Sequence, residues 1–201
     1  MIQLKSLLKI SEEEEKEFKK EYISIKEYIE TNLGKQFPYA LSESKREILY
    51  MIVRKTKPSI AVETGVGPGV STIIILSALE DGKLYSIDLR DKLENGFSVG
   101  FLVPINLRSK WRLFIGESRF ILPKILQKLN RVDIFLHDSE HTYENIMFEL
   151  KTVWNKLSKG GIILVDNFEW NDATIDFVRE NSLSLYKLSE EAGGLALIIK
   201  S

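Results

Sequence analysis

The sequence predicts a single α/β domain: a mostly parallel sheet with helices on both faces, closed by an antiparallel hairpin and preceded by a helical extension. Three observations carry this. From residue 58 onward, short apolar strand-like runs alternate with helix-like stretches, the order that builds a parallel sheet under helices. The strand runs are apolar throughout instead of alternating with polar residues, so both faces must be covered. The length of 201 residues suits one domain, and no linker or internal repeat divides it. Residues 1–57 read as N-terminal helices and 58–201 as the core.

The elements follow in order. From Ser11 to about Thr31, Phe18, Tyr22, Ile25 and Ile29 recur at spacings of four, three and four, which predicts an amphipathic helix. The acids Glu12 to Glu15 sit in its first turns, where they offset the helix dipole and form a solvated face. The stripe can pack on its own domain or on a second copy of the chain. A second helix spans Ser42 to Lys55, with Ile48, Leu49, Ile52 and Val53 as its apolar stripe and Pro58 as its stop. Strands are predicted at SIAVET, KLYSIDL, WRLFIG, VDIFLHD and GGIILVDN, and helices at STIIILSALE, SRFILPKILQKL and TYENIMFELKTVWNKL. A last helix, DATIDFVREN, leads to SLYKLS and GLALIIK, which read as a hairpin around Glu190 to Gly194. Arg90 to Ser109 lacks clear periodicity in its first half, and its length marks it as a candidate lid or substrate loop.

Composition narrows the function classes. With 44% hydrophobic and 28% charged residues the chain buries a normal core, and 28 basic against 29 acidic residues leave a net charge of −1. Such a balance provides no positive field for nucleic acid or anionic lipid, and neither is an expected partner. The absence of cysteine removes disulfides, zinc–thiolate sites and thiol nucleophiles together. No run approaches the roughly 18 apolar residues of a membrane span, and the first residues hold too short an apolar stretch for a secretory signal. The expected compartment is the cytoplasm.

Two constellations carry chemistry. The first is Glu63-Thr64-Gly65-Val66-Gly67-Pro68-Gly69-Val70-Ser71, which follows a strand and opens a helix, where glycines allow tight turning and close approach of a ligand to the main chain. A dinucleotide dehydrogenase would place its third glycine where Val70 stands, which disfavours an NAD-dependent oxidoreductase. Asp88 ends the next strand, where an acid accepts hydrogen bonds from both ribose hydroxyls of a nucleoside lying over the loop. The alternative readings are a tight turn without a ligand for the loop and a turn cap for Asp88.

The pattern ExGxGxG with an acid at the end of the second strand resembles the class I methyltransferases that use S-adenosylmethionine (SAM). The resemblance covers roughly Pro58 to the C-terminus. It implies a Rossmann-like seven-stranded sheet with the last strand antiparallel, Glu63 holding the amino end of the cofactor through water or main chain, and Ser71 near the methionyl carboxylate. It also implies that Gly116, Glu117 and Ser118 border the adenine.

The second constellation is a pair of acidic strand ends, Asp138 in VDIFLHDSEHTY and Asp166-Asn167 in GGIILVDNFEW. Neighbouring strands bring their side chains together at one edge. Two carboxylates and a carboxamide are hard oxygen donors suited to Mg²⁺ or another divalent cation; the alternative is that strand-end acids bind a substrate amine or cap the following helices. The set resembles the metal-dependent catechol and caffeoyl-coenzyme A type O-methyltransferases, where an aspartate and an Asp-Asn pair hold the metal. In those enzymes a lysine three residues past the first aspartate takes the hydroxyl proton; here His141 stands there. DSEHTY is similar to the D(G/S)xHxY motif of a broad methyltransferase group that does not prescribe a substrate.

His141 therefore has two readings, a general base acting with Asp138 or a structural histidine bonded to a carboxylate. His137 is expected in packing or hydrogen bonding, and Glu140 and Tyr143 as pocket lining. Phe168 and Trp170 form an apolar wall against an aromatic acceptor, or one of them joins the core. The activity expected is transfer of a methyl group from SAM to an oxygen of a small molecule, assisted by a divalent metal. The competing reading is a non-catalytic SAM-binding domain.

Overall fold

The computed structural model describes residues 2–191 and 193–201, with only the main chain of Ile2. A short helix α1 (Ile2–Leu8) precedes α2 (Glu12–Leu33) and α3 (Glu43–Thr56). Sequence reasoning missed α1, whose seven residues are too few to display a period. Ser11 and Glu14 close a capping box at the start of α2. Glu12 and Glu13 are exposed as expected, while Glu14 pairs with Lys55 and Glu15 with Lys5 and Lys19. Phe18, Tyr22 and Ile29 bury the stripe of α2 against the domain itself.

The core alternates β1 (Ile60–Thr64), α4 (Val70–Ala78), β2 (Lys83–Asp88), β3 (Trp111–Ile115), α5 (Ser118–Lys128), β4 (Val132–His137), α6 (Tyr143–Trp154) and β5 (Leu157–Asp166). It closes with α7 (Ala173–Glu180), β6 (Leu185–Ser189) and β7 (Leu195–Ile199). The seven strands lie in the order β3-β2-β1-β4-β5-β7-β6, parallel except for β7, which runs antiparallel to both β5 and β6. This is the Rossmann-like sheet that the sequence predicts. The expected hairpin turn between β6 and β7 includes Ala192, which lies outside the described residues.

Helices α1 to α4 cover one face and α5 to α7 the other, each sealing its own apolar layer. Chain order reverses on either side of β1, and ligands of such sheets bind outside the carboxyl ends of the strands at that point. Register decides what meets there. Thr64 pairs with Ile87 on one side and His137 on the other, and His137 pairs with Val165. The next residue of each strand therefore falls on one line, which brings Asp88, Gly65, Asp138 and Asp166 side by side.

The segment 90–104 is not a free lid. Gly100 N donates to Gly67 O, Leu102 N to Pro68 O, and Tyr28 Oη to Leu102 O, while Val99, Leu102 and Val103 are buried. Its second half is a strap beneath the glycine loop. Three apolar residues anchor it there, and a 3-10 turn at Ile105–Lys110 leads into β3.

Candidate active site

A cleft of about 620 Å³ opens at the carboxyl edge, lined among others by Gly65, Gly67, Asp88, Gly116, Glu117, Ser118 and Asp138. Gly65 has φ +84°, and a Cβ there would lie 1.8 Å from the Asp138 carbonyl oxygen, so only glycine lets β1 and β4 close together. Gly69 belongs to the same loop but faces the strap. It is outside the cleft lining, and its φ of +101° and a Cβ contact of 3.0 Å with Gly100 tie it to the strap.

Glu63 does not reach the cleft. It is fully buried and accepts hydrogen bonds from Ser71 Oγ (3.0 Å), Thr72 Oγ1 (2.6 Å) and Ser86 Oγ (2.6 Å). Burial pushes its carboxyl up to about 7, against the lowering by those three hydroxyls. Glu63 thus ties β1, β2 and α4 together, and the side chain of Ser71 is committed to it. Ser71 lines the cleft in the first turn of α4, and main-chain amides at a helix N-terminus suit an anion.

Asp88 lines the cleft while bonded to main chain. Its Oδ2 accepts from Val66 N (2.9 Å) and Gly67 N (3.0 Å), and Oδ1 from Arg90 N (3.1 Å). A carboxylate offers about four acceptor sites, so capping the loop leaves capacity for a ribose hydroxyl. Tyr39, Ala40 and Leu41, ahead of α3, form a further wall that sequence reasoning missed.

Beyond Asp138 the edge turns acidic. Asp138, His141 and Asp166 each present a ligand atom within 4.8 Å of the others, a donor set that fits a divalent ion. Burial, and then the neighbouring Asp166 carboxylate, hold Asp138 well above the ordinary carboxyl range. Asn167, in the left-handed region at φ 50°, lies next to them. Its Nδ2 is 3.3 Å from His141 Nε2, and its Oδ1 is 3.4 Å from Lys45 Nζ. That Asn167 Nδ2 contact makes Nε2 the acceptor and places the imidazole proton on Nδ1, which is buried without a partner among the described residues. Burial, then the neighbouring His137, pushes His141 down to about 4, so it is neutral near pH 7.

Lys45 is another residue that sequence reasoning did not single out. Its Nζ lies 2.7 Å from Asp166 Oδ1, and both side chains are buried. The signal was present: position 45 stands three and four residues before Ile48 and Leu49, so this lysine lies on the apolar stripe of its helix. Glu149 was missed for the same reason, being three residues from buried Ile146. It is fully buried and accepts from Thr64 Oγ1, Ser139 Oγ and Asn145 Nδ2, with His137 Nδ1 at 2.7 Å. His137 is accordingly a packed, hydrogen-bonded histidine, as expected.

Around this edge Glu140 lines the cleft, but Tyr143 turns away to Asp176. The helix begins at Tyr143, which sends that side chain outward. Phe168 is buried, while Trp170 is 61% exposed and stands edge-on to His141 with ring centroids 5.0 Å apart.

The family model described as a methyltransferase domain matches residues 62–168, more than half of the chain, from the middle of β1 past the Asp166-Asn167 pair. The chain belongs to this methyltransferase family. No curated protein matches it in sequence. Among solved structures, the O-methyltransferase from Bacillus cereus in complex with S-adenosylhomocysteine (SAH) superposes with a TM-score of 0.66 at 14% identity, over 89% of this chain and 90% of that one. The O-methyltransferase TomG from Streptomyces achromogenes, involved in tomaymycin synthesis and in complex with SAM, gives 0.67 at 14% identity over 89% and 90%. The Podospora anserina methyltransferase PaMTH1, bound to SAH, gives 0.64 at 15% identity over 90% and 88%. The fold of this methyltransferase is thus that of the class I, SAM-dependent enzymes. No helix among its described residues is long and apolar enough to cross a membrane.

Proposed function

We propose that this methyltransferase moves the methyl group of SAM to a hydroxyl oxygen of a small molecule, with a divalent cation held by Asp138, Asp166 and Asn167. One observation carries the reading. Asp138 belongs both to the wall of the cofactor cleft and to the cluster with His141 and Asp166, so donor and acceptor sites meet at one side chain. That several of the solved structures sharing the fold are described as O-methyltransferases supports the choice of oxygen.

In this reading the main chain of Gly65, Gly67 and Ser71 receives the methionyl end at the start of α4. The acceptor site that Asp88 has left takes a ribose hydroxyl. Gly116, Glu117 and Ser118 border the adenine. An acceptor hydroxyl held in line attacks the methyl carbon, the carbon–sulfur bond breaks, and its electron pair neutralises the sulfonium. The hydroxyl proton goes to His141 Nε2, the acceptor nitrogen of the neutral ring, whose lone pair the Asn167 amide releases as the acceptor hydroxyl arrives. A divalent ion, when bound, supplies charge that lowers the pKa of the acceptor hydroxyl. Trp170 offers a flat apolar surface beside that base.

Calorimetric titration with SAH, with and without Mg²⁺ and against NAD, tests the cofactor, and transfer of labelled methyl from SAM to a panel of small hydroxyl compounds tests the reaction. SAH binding together with Mg²⁺-stimulated labelling of an oxygen is the expected result. A response to NAD without one to SAH, or label found only on nitrogen, would overturn it.

A further inference from the structure

The most unusual group at the acceptor edge is a lysine. Lys45 is only 4% exposed and reaches the site from α3, outside the span of the family match. Its Nζ touches the oxygens of two of the three groups assigned above to a divalent ion, Asp166 Oδ1 at 2.7 Å and Asn167 Oδ1 at 3.4 Å. A buried ammonium is costly unless paired, and the Asp166 carboxylate offsets that cost while the ammonium offsets the cost of the buried carboxylate.

The ammonium also fixes an orientation. With Lys45 donating to Oδ1, the Asn167 amide must turn its Nδ2 toward His141, where it sets the ring with Nε2 as the acceptor. A chain of polar contacts thus runs from Asp166 through Lys45 and Asn167 to the base. The start of α3 is anchored so that Lys45 cannot easily withdraw: Ser42 Oγ donates to Glu191 in the loop after β6, and Ile48, Leu49 and Ile52 bury the helix.

We propose that Lys45 is the resident cation of the acceptor site, a positioning residue that holds the Asp166 and Asn167 oxygens and competes with a divalent ion for them. A second cation brought to the same oxygens meets the repulsion of an ammonium a few ångströms away, in a poorly solvated place where charges interact strongly. The divalent ion is therefore held weakly by the protein alone, and its retention depends on the oxygens that the acceptor adds. This inference rests on the metal placement in the proposed function.

The test is Mn²⁺ binding, followed by electron paramagnetic resonance of the free ion, in the wild-type chain and in Lys45→Gln, Lys45→Met and Lys45→Arg, each with SAH calorimetry beside it. Removing the charge is expected to tighten Mn²⁺ by about tenfold or more in the Gln and Met variants, while Arg stays within about threefold of wild type. SAH affinity is expected to hold throughout, because Lys45 does not line the cofactor cleft. If Lys45→Met fails to fold, shown by loss of SAH binding, Lys45→Gln decides, since its amide still donates to Asp166. Unchanged or weaker Mn²⁺ binding in folded neutral variants would overturn the proposal, because a merely structural lysine cannot give tightening. Silence toward SAH in every protein, with the manganese pattern as expected, would support the role of Lys45 and count instead against the cofactor reading.

Discussion

On the β1–β3 side of the carboxyl edge, the acids rest on neutral donors that stay in place: buried Glu63 on three hydroxyls, half-buried Asp88 on three main-chain amides. On the β4–β5 side, two carboxylates face an ammonium and an imidazole, and two imidazole nitrogens, His137 Nε2 and His141 Nδ1, are buried with no partner among the described residues. The difference teaches where ligands act. A side of the site whose polar groups satisfy one another is preorganised and only receives its ligand. A side with charges in opposition and orphaned atoms changes its bonding when a ligand or proton arrives.

The comparison can be broken from either side. The largest effect is expected at the close approach of β1 and β4: Gly65→Ala should cost about 5 kcal/mol or prevent folding, because its Cβ would meet main chain that cannot yield. Urea unfolding and SAH calorimetry check it, and a folded variant with normal SAH affinity would show that the strands can part. Next, Asp166→Ala strands the buried Lys45 ammonium and should destabilise the fold by about 3–4 kcal/mol. The double variant Asp166→Ala with Lys45→Met should recover much of that loss, which urea melts of the set would read directly.

A smaller effect follows from Glu63. Its carboxyl is raised from 4.5 to about 7 in the fold, so the folded chain binds that proton more tightly than the unfolded chain does. The stabilisation is fully present below pH 4.5 and is lost as pH rises toward 7, by up to about 3 kcal/mol. Comparing wild type with Glu63→Gln at pH 5 and pH 7 isolates it, and a constant difference between the two would remove the assignment. The smallest effect is at the exposed wall: Trp170→Ala should change stability by less than about 0.5 kcal/mol. Its consequence belongs to the acceptor, as a raised KM with SAH affinity unchanged.

The glycine-loop half of the cleft was legible because its signals are local. Gly65 and Gly67 stand in one turn between a strand and a helix, and Asp88 ends the neighbouring strand. The local pattern left side-chain direction open. Glu63, Gly69 and Ser71 belong to the same motif, yet Glu63 and the Ser71 hydroxyl face each other in the interior, and Gly69 makes room for the strap at Gly100. A motif gives residue types and spacing, but not which way each side chain points. The acceptor half was legible only in its strand ends. Lys45 lies 121 residues from Asp166 along the chain, and Glu149 approaches His137 from the following helix.

The sequence by itself determined the alternation of strands and helices, the antiparallel close, the glycine turn and the acids at strand ends. Hydrophobic period and turn chemistry act over a few residues and can be read from them. Only the tertiary structure decided that α3 covers the sheet so that Lys45 enters the acidic cluster, and that register lines Asp88, Gly65, Asp138 and Asp166 along one edge. Those contacts join residues far apart in the chain, and what selects them is burial of the α3 stripe and the pairing of an otherwise unaffordable charge.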